Sequence, residues 1–131
     1  MSHSSLLEAV ADVATLTGDT ALQWFGRGVA VETKGDGSPV TIADRSAEEA
    51  ARAWISTHFP QDGVQGEEFP PIRPEAKRQW IIDPIDGTKA FVRGVPLWGA
   101  LVAVCEGEHV LAGAAYFPAV RELVNAAPGE G

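Results

Sequence analysis

Cysteine is almost absent from this sequence, which has only Cys105 among 131 residues. One thiol cannot close an internal disulfide or form a zinc framework, so neither is expected to stabilise the fold. Because Cys105 lies in an apolar run, we expect a buried core thiol there. Long apolar runs are also missing, since no segment approaches the roughly 20 residues that span a bilayer. The N-terminus lacks a charged stretch followed by a continuous apolar one, so we predict no signal peptide, no membrane partner and a cytoplasmic location.

Basic residues are scarce as well. The chain has 10 Lys and Arg residues against 18 Asp and Glu residues, which gives a net charge of −8. This excess of negative charge argues against nucleic acid or an anionic membrane surface as a partner. With 45% hydrophobic residues, the chain has the composition of a globular domain with a core. If the substrate of such an acidic protein is a phosphate ester, cations are needed to offset the repulsion.

Two segments have the apolar periodicity of helices. The first covers residues 5–25. The second is predicted to begin with a cap at Thr41 or Asp44 and to run to about His58.

The remaining predicted elements are strands. They comprise a hairpin over 29–42 and strands at 79–82, 98–106, 109–117 and 121–125. Residues 60–74 are rich in Pro, Gly and acidic residues, so we expect mostly loop there. This order of elements predicts an α+β fold in which two helices pack on one face of a mostly antiparallel sheet.

The most informative segment runs from Asp83 to Thr88 and reads Asp-Pro-Ile-Asp-Gly-Thr. It follows directly on an apolar strand. Pro84 fixes one backbone angle and Gly87 permits a tight turn, so the two Asp carboxylates are held at the rigid end of a strand. A helical turn starting after Gly87 would offer free backbone N–H groups to an anion.

Two further carboxylates, Glu67 and Glu68, lie upstream in the predicted loop. Clustered carboxylates raise one another's pKa values unless a cation lies among them. Hard oxygen ligands select Mg²⁺, Mn²⁺ or Ca²⁺, and the spacing does not match a calcium-binding EF-hand loop. Mg²⁺ keeps open positions for water and phosphate oxygens, as phosphoryl transfer requires.

Each of these residues also has a structural interpretation. Asp-Pro and Asp-Gly pairs are common in turns, and Glu67 and Glu68 could be solvated surface charges. Asp44 could cap a helix, a role that is compatible with a place in the site. Lys34 could be a solvated hairpin lysine or a residue of the site.

The string from Asp83 to Thr88, with Phe91 three residues later, resembles the signature of the inositol monophosphatase family. Residues 66–68, Gly-Glu-Glu, resemble the upstream motif of that family. The family's Lys…(Ser-Pro)-Val-Thr-x-x-Asp element is matched by Lys34 and residues 38–44. The resemblance covers nearly the whole chain. It implies the N-terminal half of a layered sugar-phosphatase fold and a small phosphate monoester as substrate.

By this resemblance, the ligands of a first Mg²⁺ would be Glu67, Asp83 and the main-chain carbonyl of Ile85. Asp83 and Asp86 would share a second Mg²⁺, and a complete site would hold two or three ions. The Ile85 side chain is then expected in the core.

The resemblance also implies catalytic and phosphate-binding roles. Thr88 would orient the attacking water, and Asp44 or Glu68 would take up its proton. Asp86, Gly87 and Thr88 would bind the substrate phosphate. The implied reaction is in-line attack by a metal-activated water, without a phosphoenzyme.

Within the family, residues 89–99 are most similar to the bacterial histidinol-phosphatases, which implies L-histidinol phosphate as substrate and a role in histidine biosynthesis. Inositol-specific members carry Asn after the Thr, where this chain has Lys89. Bisphosphate nucleotidases share that Lys but continue differently after the Phe. Both activities stay open as alternatives.

Family members are about twice this length, and a second domain supplies a further Asp to the second metal site. Nothing in this sequence resembles that motif. Residues 1–131 are therefore expected to be an N-terminal metal-binding domain without its C-terminal partner, and the full-length protein is expected to be a homodimer. A half-domain without activity, which binds only metal or a partner, is the remaining alternative. The sheet of an isolated half would expose an apolar face.

Overall fold

The structure is a computed structural model that describes residues 3–26, 31–33 and 39–129. Helices pack on one face of a five-stranded sheet, which confirms the α+β prediction. Lys34 lies outside the described residues. No helix in the described ranges is both long enough and apolar enough to cross a membrane.

Three helices and seven strands follow one another along the described chain. The helices are α1 (His3–Leu22), α2 (Ile42–His58) and α3 (Thr88–Val92). The strands are β1 (Val31–Thr33), β2 (Pro39–Thr41), β3 (Gly63–Gln65), β4 (Arg78–Asp86), β5 (Gly99–Glu106), β6 (His109–Phe117) and β7 (Glu122–Ala126). β1 and β2 form a separate antiparallel pair, as the predicted hairpin requires.

The main sheet has the order β3-β4-β5-β6-β7. β3 pairs with β4 in parallel, and the other three pairings are antiparallel. Alternate residues of β4, β5 and β6 are buried under the helices, with Trp80, Val104 and Ala112 as one row across the sheet. We call this side the inner face and the opposite side the outer face.

The structure refines three sequence predictions about local structure. Residues 60–74 are mostly loop, as predicted, but Gly63–Gln65 form β3 by pairing with β4, and three residues are too few to show a strand periodicity. The strand predicted at 79–82 extends over Arg78–Asp86, so the two Asp residues lie inside the strand rather than after it. α2 begins at Ile42, directly after Thr41, which places Asp44 in its first turn instead of at its cap.

Cys105 is partly exposed, so the expectation of a buried thiol is wrong. In β5 the buried residues are Ala100, Val102 and Val104, which alternate with less buried ones. Because side chains alternate between the faces of a strand, Cys105 falls on the outer face.

Candidate active site

The loop that carries the Gly-Glu-Glu motif lies beside the end of β4 because β3 and β4 run in parallel. Gln65, the last residue of β3, pairs with Ile81. Glu67 and Asp83 each come two residues after that pair. Parallel strands present their carboxyl ends at the same edge of a sheet, so the fold brings the backbones of these two predicted ligands to one edge.

Asp83 and Asp86 share one face of the sheet, which their spacing in sequence does not suggest. Residues three apart in a regular strand point to opposite faces. Here Asp83 pairs with Leu101 and Asp86 pairs with Gly99, so β4 uses one residue more than β5 over this interval. Such a β-bulge redirects side chains, and it puts both carboxylates on the face to which Leu101 and Gly99 belong. Pro84 and Ile85, which lie between the two Asp residues in sequence, are buried.

Ile85 anchors the segment through its side chain and is linked to Thr88 through its carbonyl. The side chain is 2% exposed, which confirms the expectation of a core residue. The Thr88 hydroxyl donates a hydrogen bond to the Ile85 carbonyl oxygen over 3.2 Å. Gly87 has a left-handed φ of 90°, which favours glycine and turns the chain from β4 into α3. A Cβ at this position would also lie 3.2 Å from the Leu97 carbonyl oxygen.

A small apolar cluster, which we call the site cluster, lies beneath this turn. It consists of Ala21, Ala43, Ala47, Ile85, Phe91 and Trp98. Phe91 and Trp98 meet edge to face, with ring centroids 4.8 Å apart. Ala43 and Ala47 belong to α2, so the first turn of that helix packs near Ile85. Asp44, between them in sequence, is 5% exposed.

The predicted metal ligands agree with magnesium in chemistry, but the described side chains do not form a closed metal site. Three carboxylates and one main-chain carbonyl are all hard oxygen donors, the type that Mg²⁺ prefers. In the part of the chain that the structure describes, no three His, Cys, Asp or Glu side chains are grouped so that they could hold a metal ion. Glu67 and Asp86 are exposed, and Asp83 and Glu68 are partly buried. The roles of these residues stay predictions.

The sequence interpretation missed two residues on α2. Glu48 is fully buried, and Arg52 is 8% exposed. They form an ion pair, with 2.9 Å between Arg52 Nε and Glu48 Oε2. Their spacing of four residues is typical of a helical ion pair, but nothing in the sequence indicates that this pair is buried against the Gly-Glu-Glu loop.

Comparison with known proteins gives a consistent result. A sequence model of the inositol monophosphatase family matches residues 2–131. The chain is 46% identical over 127 residues to a histidinol-phosphatase of Chlorobaculum parvum, covering 95% of this chain and 49% of that protein. It is 41% identical over 131 residues to a histidinol-phosphatase of Mycobacterium tuberculosis, covering all of this chain and 50% of the relative.

Among solved structures, the inositol monophosphatase of Thermotoga maritima superposes with a TM-score of 0.88 at 33% identity. That match covers 97% of this chain and 50% of the other. The α+β fold is therefore that of the N-terminal half of inositol monophosphatases, a class of phosphomonoesterases. The chain belongs to the inositol monophosphatase family, and it spans about half the length of the relatives it matches.

Proposed function

We propose that this chain is the metal-binding half of a magnesium-dependent phosphomonoesterase that hydrolyses L-histidinol phosphate. The observation that carries this proposal is the parallel pairing of β3 with β4, which brings the loop of Glu67 to the edge where Asp83 lies. Membership of a family of phosphomonoesterases supports the reaction class. The net charge of −8 suits a substrate whose alcohol carries an amine and an imidazole.

In this proposal, Glu67, Asp83, Asp86 and the carbonyl of Ile85 hold the magnesium ions. The metal, when bound, would stabilise negative charge on the phosphate and lower the pKa of water. The hydrogen bond between Thr88 and the Ile85 carbonyl supports a position for the Thr88 hydroxyl near the site, where it would orient the water. Asp44 or Glu68 would accept the proton, and Gly87 and Thr88 would bind the phosphate through their backbone N–H groups.

The choice of substrate is supported by sequence similarity. Identity reaches 46% and 41% with two proteins named histidinol-phosphatase and 33% with the solved inositol monophosphatase. Because the chain matches only half of each relative, the activity of a whole protein, its homodimeric assembly and its cytoplasmic location stay part of the proposal. An inositol phosphatase, a bisphosphate nucleotidase and an inactive half-domain are the competing functions.

Two measurements on the 131-residue chain test the proposal. Titration calorimetry with Mg²⁺ should show binding that Asp83→Asn weakens more than about tenfold, since even residues outside the ligand set change metal affinity by 10–100-fold. Glu75→Gln, which removes one exposed carboxylate from the loop before β4, should leave the Mg²⁺ affinity unchanged.

The second measurement is the rate of phosphate release, which should be compared for L-histidinol phosphate, inositol 1-phosphate and adenosine 3′,5′-bisphosphate.

The outcomes separate the candidates. Fastest release from histidinol phosphate supports the proposal, whereas a clear preference for one of the other two substrates assigns that activity instead. Magnesium binding without turnover of any substrate favours the inactive half-domain. Equal Mg²⁺ affinity in the wild type and in Asp83→Asn removes the site assignment.

A further inference from the structure

A buried carboxylate on α2 holds the Gly-Glu-Glu loop by its backbone. Glu48 Oε1 accepts a hydrogen bond from the amide of Glu68 over 3.0 Å. Its other oxygen accepts one from Arg52 Nε over 2.9 Å. Since Glu48 is fully buried, its charge is satisfied only within this arrangement, and buried charges of this kind fix the position of their partners.

Arg52 extends the same attachment further along the loop. Its Nη1 donates to the carbonyl of Pro70 over 2.8 Å, and its Nη2 donates to the carbonyl of Phe69 over 3.0 Å. The guanidinium carbon also lies 5.7 Å from the centre of the Phe69 ring. The planar guanidinium fixes several hydrogen-bond directions at once, so the loop from Glu68 to Pro70 is tied to α2 at three backbone atoms.

Gly66 allows this close approach. A Cβ on Gly66 would lie 2.4 Å from Glu48 Cδ and 2.5 Å from both carboxylate oxygens. Any side chain there would push the loop away from α2 or displace the Glu48 carboxylate. The glycine of the motif is thus explained by the buried carboxylate next to it.

We infer that Glu48 and Arg52 are positioning residues that set Glu67 beside Asp83 for magnesium binding. Neither residue is a proposed ligand. Glu67 lies between two residues that meet Glu48. Gly66 lies against the Glu48 carboxylate, and the amide N–H of Glu68 donates a hydrogen bond to it. The face of α2 that carries the pair also carries Asp44, four residues before Glu48, so one helix would position both the predicted proton acceptor and the loop of a predicted ligand. This inference rests on the proposed function.

Gly66→Ala is the main test, because it disturbs the contact between the loop and Glu48 without removing any polar side chain. The measurement is the Mg²⁺ dissociation constant by calorimetry, which we expect to rise by about tenfold or more. Gly113→Ala is the matched control, since a Cβ there meets only the Val102 carbonyl oxygen, at an ordinary 3.7 Å. The control should bind Mg²⁺ as the wild type does.

Glu48→Gln is a second test, in which the substitution lies on α2 and not in the loop. It keeps the shape of the side chain but removes the charge that Arg52 neutralises, and we expect a similar rise in the dissociation constant. Amide hydrogen exchange at Glu68 should also become faster, because its acceptor is weakened. Near-ultraviolet circular dichroism checks that each variant is folded, and if Glu48→Gln is not, Gly66→Ala decides alone.

Failure of the inference differs from failure of the proposed function. Suppose that folded Gly66→Ala and Glu48→Gln bind Mg²⁺ like the wild type, while Asp83→Asn binds it weakly. The positioning role is then contradicted, and the metal site is still supported. If Asp83→Asn also binds Mg²⁺ like the wild type, both the proposed function and the positioning role are contradicted.

Discussion

Tyr116 shows how one side chain joins the sheet to the first helix. Its hydroxyl donates a hydrogen bond to Asp19 Oδ1 on α1 over 2.8 Å. Its ring packs so closely on Gly18 that a Cβ there would lie 2.5 Å from Cδ2. Gly18 is unfavourable within a helix by about 1 kcal/mol relative to alanine, and this close approach of α1 to β6 is the reason it is tolerated.

The stability of the chain should fall at alkaline pH through Tyr116. Burial, and next the hydrogen bond to Asp19, raise the pKa of Tyr116 above its ordinary value of 10.0. A raised pKa in the folded state means that folding stabilises the protonated phenol of Tyr116 relative to the phenolate. Its contribution is therefore complete below pH 10 and is lost as the pH rises through the higher, folded-state pKa.

Urea unfolding at a series of pH values from 8 to 11 measures this effect. Between the wild type and Tyr116→Phe, the difference in the free energy of unfolding should shrink as the pH rises, because only the wild type loses a stabilising proton. A difference that stays constant over this range would contradict the assignment. Titration of the lysines affects both proteins equally and cancels in the comparison.

At the scale of elements, β3 depends on Asp62, the residue directly before it. Asp62 Oδ2 accepts hydrogen bonds from Arg78 Nε over 2.7 Å and from Trp80 Nε1 over 2.8 Å. Both donors belong to β4, so one carboxylate joins the start of β3 to its neighbouring strand. Asp62 is 6% exposed and Trp80 is fully buried, which makes the loss of the acceptor costly.

Asp62→Ala should lower the free energy of unfolding by about 3 kcal/mol, because it leaves a buried indole N–H and a guanidinium without their acceptor. Chemical denaturation checks this value, and Gln61→Ala, an exposed neighbour, should change it by less than about 0.5 kcal/mol. The variant should also bind Mg²⁺ more weakly, since β3 leads into the loop of Glu67. An unchanged stability would show that β3 is held in some other way.

At the scale of the whole molecule, the outer face of the sheet is largely apolar. Cross-strand partners share a face, and one such row contains Ile81, Ala103, Gly113 and Ala126. A second row contains Asp83, Leu101, Ala115 and Val124. Ile81 is 45% exposed and Val124 is 63% exposed. The predicted ligand Asp83 therefore lies at the border of an apolar surface.

This surface should make the isolated 131-residue chain self-associate as its concentration rises. Sedimentation velocity at increasing concentration measures the association. Val124→Lys should weaken it by about tenfold or more, because burial of one valine contributes about 1.5 kcal/mol. Val120→Lys is the control, because Val120 is 49% exposed but lies in the turn before β7 and not in the two rows of the outer face. Equal effects of the two substitutions would exclude the outer face as the contact.

Short-range patterns in the sequence were enough to predict α1, α2, the main antiparallel strands, and the turn at Gly87. Periodicity, proline and glycine act over a few residues, so their consequences can be predicted locally. The family resemblance came from the same kind of local strings, and the match over residues 2–131 confirms it.

The tertiary structure decided three other features. β3 exists because Gly63–Gln65 pairs with β4, and three residues carry no periodicity of their own. Asp83 and Asp86 share a face because the pairing with β5 slips by one residue between them. Glu48 and Arg52 are buried because the loop after β3 returns onto α2. Each of these features depends on contacts between segments that are distant in sequence, and no local pattern specifies such contacts.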